Sequence, residues 1–464
     1  MNAATLWLEF ILYELLLFSG VWFLVGAIDD FCVDLLWIFQ RIYRKLRYYR
    51  RARPMRADDL PPPEKVGELA VFVAAWQEEN VIGAMLRRCH RAWQDHKSHS
   101  IYVGCYPNDE ASIKAVLAAA AQNPRVKLIL CHEPGPTTKA DCLNRLWEAM
   151  TSDELKHGYK VKAVVLHDAE DMVDPDELKI FDRLIEKNQA VQIPVIPVMV
   201  PGSRWISGHY CDEFAEAHGK SLVVREAIGA PLPLAGVGCA IERNMLGRIA
   251  LTNDHKPFDV GSLTEDYELG LKVGQHGGKT ILARLLNKDG HLVGTRACFP
   301  HTIEASVKQK ARWLVGISLS GWDRIGWRGS MAENWMILRD RKAIFTAIVL
   351  AAAYICVLIT GLLGILHFFG HHAWRPLPKL VIWLLAINTV FLLWRIALRA
   401  AFVAGVHGGF AAACSVPRAV IANIIAMMAA RRAVTVYLRH CLSGRSLRWD
   451  KTEHHHFPEM PKGG

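Results

Sequence analysis

The chain has 464 residues, 52% of them hydrophobic and 22% charged, with a formal net charge of +10. That length suits two or three domains around a large core. The eleven cysteines form no CxxC pair and several sit in apolar runs, which excludes a disulfide framework and reads as buried thiols in a reducing compartment.

In chain order, Leu6 to Ile28 comes first. A helical span needs about 20 mostly apolar residues. This run qualifies despite Glu9 and Glu14, which are expected to face other helices or headgroups. It has no basic leader and no small-residue cleavage site, so residues 1–30 read as an uncleaved anchor. The stretch "RIYRKLRYYRRARPMR", residues 41–56, follows without a single acid. Placed after a span, it predicts a juxtamembrane segment on the cytoplasmic leaflet and not a nucleic-acid-binding arm.

Residues 65–330 alternate strand and helix. Apolar runs at 69–76, 100–106, 126–132 and 163–166 precede helical runs at 78–93, 111–122 and 139–150. Continuous apolar strands of this kind predict a mainly parallel, Rossmann-like α/β sheet covered on both faces. Ligands of such sheets bind beyond the carboxyl ends of the strands. Each run ends there in polar residues: Gln77 and Glu78, Asn108 and Asp109, His132 and Glu133, Asp168 to Asp171. "VQIPVIPVMV" carries Pro194 and Pro197 and predicts an edge strand.

The sharpest chemical signal lies in "KAVVLHDAEDMVDPDEL", residues 162–178. Three carboxylates within four residues of a strand end suit a hard divalent cation, with Asp168 and Glu170 as ligands and Asp171 as the runner-up. Asp174 and Asp176 flank Pro175 and read as an ordinary helix start. Lys139, Glu265 and Asp266 also read singly as helix-start residues. Gln309, Arg312 and Trp313 share one helix face.

Further on, Ala343 to Leu366 is a span without a charged residue, and Leu380 to Trp394 begins another. Residues 343–403 therefore hold two transmembrane helices, with Arg395 and Arg399 expected to snorkel to the far interface. "AVIANIIAMMAA" is short for a span, so residues 404–445 read as interfacial helices. A fourth span from Phe402 is the alternative. The basic segments place residues 57–340 and the tail 446–464 in the cytoplasm. In that tail Arg448 to Pro458 is expected to return and gate the site near Arg312 and Trp313. His454 to His456 read there as a docking feature and not a metal site.

Taken in order, "AAWQEEN", Asn108–Asp109, "GPTTKADCLN", "DAED", "TED" and "QKARW" resemble the family 2 glycosyltransferases of GT-A fold. The set is most similar to the processive membrane branch of cellulose, hyaluronan and poly-N-acetylglucosamine synthases. "WDKTEHHHFP" narrows the resemblance to the inner-membrane glycosyltransferases of the phage N4 receptor system. The resemblance implies a UDP-sugar donor, with Ala75, Gln77, Glu78, Asp109, Lys139 and Asp168 lining its pocket. It implies Mg²⁺ or Mn²⁺ on Asp168 and Glu170, although Glu170 stands where Asp is common. It makes Asp266, beside Glu265, the general base, and gives the leaving diphosphate and the acceptor end to Gln309, Arg312 and Trp313. "PLAGVGCAIER" matches the acceptor strand, where Gly236 and Gly238 admit close backbone approach. The implied reaction is inverting transfer of an N-acetylhexosamine or hexose to a growing exported glycan in a bacterial inner membrane. Three spans leave little channel-forming material, so a homodimer or an outer-membrane export partner is expected. Cyclic-dinucleotide regulation would need a domain beyond this sequence. The alternatives are a degenerate, nucleotide-binding or phage-receptor scaffold and transfer of one sugar to polyprenyl phosphate.

Overall fold

A computed structural model describes residues 3–47, 53–65, 67–327 and 329–443. The expectations for the tail 446–464, including the gate of Arg448 to Pro458 and the role of His454 to His456, lie outside the described residues, as do residues 48–52 of the basic segment.

The apolar runs become strands β1 (Glu68–Ala74), β2 (His99–Cys105), β3 (Val126–Leu130) and β4 (Val161–Asp168). After them come β5 (Ala190–Gln192), β6 (Val195–Val198), β7 (Cys239–Glu242), β8 (Thr280–Leu282) and β9 (Thr295–Cys298). Seven form one sheet in the order β3-β2-β1-β4-β7-β5-β8. All its pairings are parallel except those of β7, which runs against both β4 and β5. The "VQIPVIPVMV" run breaks at Pro194 into β5 and β6. The β6 strand, with Pro197 inside it, joins β9 in a separate two-stranded sheet, where every strand is an edge.

Successive side chains of a strand point to opposite faces. Leu69, Val71 and Val73 enter one core with Ile82, Met85, Trp93 and Phe181, while Ala70 and Phe72 enter the other with Leu143, Leu146 and Ile249. Leu69, Val71, Phe72 and Val73 are fully buried. At about 1.5–3 kcal/mol each, they contribute on the order of 6–12 kcal/mol against chain entropy. That double burial fixes β1 and β4 at the sheet centre, so their carboxyl ends open onto a rigid rim.

Among the described residues three helices are long and apolar enough to cross a membrane: Ala3–Arg47, Ala343–Phe368 and Lys379–Ser443. The first does not stop after the anchor at residue 30. It runs on through the basic residues to Arg47, because Arg and Lys are good helix formers. Its Asp29 and Asp30 meet Arg339, Lys342 and Arg395, and its Asp34 lies 2.6 Å from Lys220. Arg395 thus pairs with Asp30, and Arg399 with Glu216 at 3.3 Å, where snorkelling alone was expected. At the other end Glu9 faces His372 and Arg375, both at 3.5 Å. The last helix is broken at Gly408 (φ 84°, ψ 170°), a conformation that favours glycine. Beyond the break, the buried Arg418 forks onto both oxygens of Asp212 at 2.5 and 2.8 Å. Ala429 and Ala433 pack there on Ala311 and Val315. The stretch expected to be interfacial is therefore the platform under the "QKARW" helix.

Candidate active site

A cavity of about 520 Å³ opens between the carboxyl ends of β1 and β4, the loop before β7, and the helices Glu265–Gln275 and Ile303–Leu314. Eleven of the expected residues line it: Ala75, Glu78, Lys139, Asp168, Glu170, Asp171, Glu265, Asp266, Gln309, Arg312 and Trp313.

Asp168 ends β4. Lys139 opens the helix Lys139–His157, whose Thr138 cap accepts the Asp141 N–H at 3.1 Å. The two side chains meet at 2.5 Å. Burial disfavours charge on Lys139, yet the carboxylates of Asp168, Glu265 and Asp266 outweigh it and hold the ammonium far above its ordinary range. Burial, and then the neighbouring Asp266, push Glu265 up to about 7. Burial also raises Asp266, against the pull of Lys139. Arg312 Nε, Gln309 Oε1 and Thr264 Oγ1 are buried and have no protein hydrogen-bond partner among the described residues. Unpaired polar atoms around a cavity are what a polar ligand would satisfy.

The donor set at the end of β4 divides. Asp168 and Glu170 line the cavity, and Asp168 meets Lys139 there. Asp171 is 1% exposed in its side chain, and its Oδ2 accepts from His167 Nδ1 at 2.9 Å and from the Asp168 N–H at 3.0 Å. Among the described residues no group of three or more His, Cys, Asp or Glu is arranged to hold a metal ion. A hard cation completed by substrate phosphates needs only one or two carboxylates, and Asp168 with Glu170 fit that requirement.

Gln77, Asp109, Gly236 and Gly238 do not line the cavity wall, and three of them shape it. Asp109 is buried, caps the helix Glu110–Ala120 and accepts the Gln77 N–H at 2.6 Å. It thereby fixes the loop that presents Ala75 and Glu78. Gly236 adopts φ +74°, and a Cβ there would lie 2.6 Å from Asp266 Oδ2. Gly238, at φ +57°, backs onto Thr295 Oγ1.

Several site residues were not foreseen. Trp76 and Tyr106 stand edge to face at 5.2 Å at one end of the cavity. Each is the last residue of an apolar run, which was the available signal. Phe214, His218 and Phe299 form an apolar wall, with Phe214 stacked on His218 at 5.4 Å. Burial pushes His218 down to about 3, so the ring is neutral. Glu213 lines the same wall and holds Lys310 at 2.5 Å. Two π-helical turns, Ala217–Ser221 and Val315–Ser320, border the cavity, a common placement for such bulges at working sites. Asp174, read as an ordinary helix start, is buried and accepts the Asp176 N–H at 3.1 Å.

A mostly parallel sheet with one reversed strand, flanked by helices, is the GT-A-like architecture, and it places the chain among the glycosyltransferases. The chain belongs to the family described as glycosyltransferase like family 2, which matches residues 65–316. Within it, the chain is 34% identical over 457 residues to the bacteriophage adsorption protein B of Escherichia coli K12, and equally to the bacteriophage N4 adsorption protein B of Escherichia coli O157:H7. The match takes in 94% of this chain and 61% of each relative, so the chain spans about three-fifths of their length. Among solved structures, the mannosyltransferase PcManGT from Pyrobaculum calidifontis, in complex with GDP-Man and Mn²⁺, is similar at 16% identity and a TM-score of 0.49, covering 87% of this chain and 97% of that one. With three helices among its described residues long and apolar enough to cross a membrane, the chain is a multi-pass membrane member of this glycosyltransferase family.

Proposed function

We propose that the chain moves a sugar, an N-acetylhexosamine or a hexose, from a UDP-sugar to a growing exported glycan, with inversion at the anomeric carbon. The observation that carries this reading is one cavity that gathers Lys139, Asp168, Asp266 and Arg312 from four separate elements. Asp168 and Glu170 would hold Mg²⁺ or Mn²⁺, whose contribution there is neutralisation of the donor diphosphate. Arg312, with its unpaired Nε, meets the charge that develops on the departing UDP. Gln309 and Trp313 orient the acceptor end. Asp266 takes the proton of the acceptor hydroxyl at its carboxylate. Its raised pKa brings it closer to working pH, where a general base is most effective. The hydroxyl then attacks from the face opposite UDP, so no covalent intermediate is needed.

In this reading residues 65–330 are cytoplasmic, residues 1–30 and 343–403 cross the bilayer, and 404–445 lie at its surface. Exposed Phe410, Val416, Val420 and Ile424 on that last segment support the surface placement. The test is purified protein in detergent with Mg²⁺ or Mn²⁺ and a panel of UDP-sugars. Metal-dependent UDP release with one donor, and sizing of the product, support transfer to a polymer. UDP binding without release from any donor supports a degenerate scaffold, and a single added sugar supports a polyprenyl phosphate acceptor.

A further inference from the structure

From Asp171 at the cavity edge, a cluster of ionisable groups that the proposed transfer steps do not use runs inward through His167 and Glu177, neither of which lines the cavity. His167 is 0% exposed in its side chain and stands between two buried carboxylates. Its Nδ1 donates to Asp171 Oδ2 at 2.9 Å. Its Nε2 lies 2.9 Å from Glu177 Oε1, a close contact without hydrogen-bond alignment. Each carboxylate holds a second group. Asp171 Oδ2 also accepts the Asp168 N–H, so it pins the backbone of the residue that carries the cavity carboxylate. Glu177 Oε2 accepts from Thr295 Oγ1 at 3.2 Å and from the Asp174 N–H at 3.3 Å. Thr295 Oγ1 in turn closes on Gly238, where a Cβ would come within 2.4 Å.

An unbroken chain of contacts therefore runs from Asp168 through Asp171, His167, Glu177 and Thr295 to Gly238. It links the donor-side turn to the turn before β7. The imidazole fills the space between the two buried carboxylates and touches both, at 2.9 Å each, so the arrangement of Asp171 and Glu177 depends on it.

We propose that His167 is a positioning residue of the transferase: held between Asp171 and Glu177, it fixes the Asp168–Asp171 turn and, through Thr295, the Gly238 turn across the site. The inference rests on the reading that Asp168 and Glu170 hold a divalent cation with the nucleotide. Residues that orient a metal ligand typically change metal affinity or activity by about 10- to 100-fold when removed, and His167 would act on Asp168 through one intermediary, Asp171.

The test uses the full chain in detergent and calorimetric titration of UDP, in EDTA and in Mn²⁺. Wild type should gain affinity from Mn²⁺. His167→Asn should bind UDP in EDTA within about twofold of wild type and lose roughly tenfold or more of the Mn²⁺-dependent gain. Glu177→Gln keeps the volume and the His167–Asp171 bond, and should lose part of the same gain. It carries the test if the first variant does not fold. Variants that bind Mn²⁺ and UDP as wild type does overturn the proposal. Equal weakening with and without Mn²⁺ also overturns it, because that is the signature of general destabilisation. If wild type itself gains nothing from Mn²⁺, the metal reading fails, and His167 is judged on turnover. A tenfold or greater fall in kcat at unchanged donor KM then supports positioning, and an unchanged kcat overturns it.

Discussion

Replacing Gly236 by alanine separates backbone strain from damage to the base. Gly236 sits at φ +74°, where an L side chain costs roughly 1–2 kcal/mol. The added methyl would stand 2.6 Å from Asp266 Oδ2 and 3.2 Å from its Cγ. Ordinary contact begins at 3.4 Å, so the carboxylate must retreat by 3.4 − 2.6 = 0.8 Å or turn away. A displacement near 1 Å at a reacting group can cost about 10² in rate. Gly229 supplies the control: its φ is +77°, yet nothing lies within 4 Å of a Cβ there. Both alanine variants should lose similar thermal stability. Only Gly236→Ala should lose about 10² in UDP release at saturating UDP-sugar, with donor affinity within a few-fold. Equal turnover in the two variants would refute the placement of Asp266 against the acceptor turn.

Asp266→Asn should keep UDP-sugar binding within a few-fold while turnover falls on the order of 10²–10⁴, since a base acts in the transition state; undiminished turnover removes Asp266 from the mechanism. Asp174→Asn should reveal a pH-dependent penalty. Burial raises Asp174 from its ordinary 3.8 to about 6, so the folded chain holds that proton more tightly than the unfolded one. Its stabilisation is complete below the ordinary value and is lost as pH rises through about 6. The variant should melt with wild type near pH 4 and above it at pH 8, and parallel melting curves across that range would count against the assignment. Asp212→Ala strands the buried Arg418 guanidinium, at a cost of about 3–5 kcal/mol, and Asp212→Leu with Arg418→Met should recover most of it. Detergent melts that do not separate the single from the double variant contradict a buried pair.

The strands were legible because β1 and β4 are buried on both faces, which writes a continuous apolar run into the sequence. The site was legible only as an ordered set of motifs. Lys139 and Asp168 each look ordinary alone, and only the sheet brings them to 2.5 Å. β7 was harder to see: four residues after a glycine-rich loop carry almost no periodicity and no sign of direction. His167 was on view at a strand end, but a single histidine gives no hint of carboxylates four and ten residues further on that will enclose it. Arg418 sits in a stretch that reads as a membrane-surface helix, where an arginine is expected to face water. Its burial depends on Asp212, 206 residues away. Arg395 and Arg399 likewise have partners that local composition cannot show.

The reversed β7 has a consequence for how such a transferase can diversify. The loop that follows β1 and the carboxyl end of β4 bring Ala75, Glu78 and Asp168 to the rim. The turn with Gly236 and Gly238 reaches the same rim because it precedes a strand that runs the other way, with Gly238 bonded to the Leu166 carbonyl at 3.0 Å. Under the proposed function, donor and acceptor surfaces would grow from opposite ends of differently directed strands. An insertion after a parallel strand can retune one without shifting the register of the other. A lineage built this way can change the sugar it adds and the chain it extends as separate events.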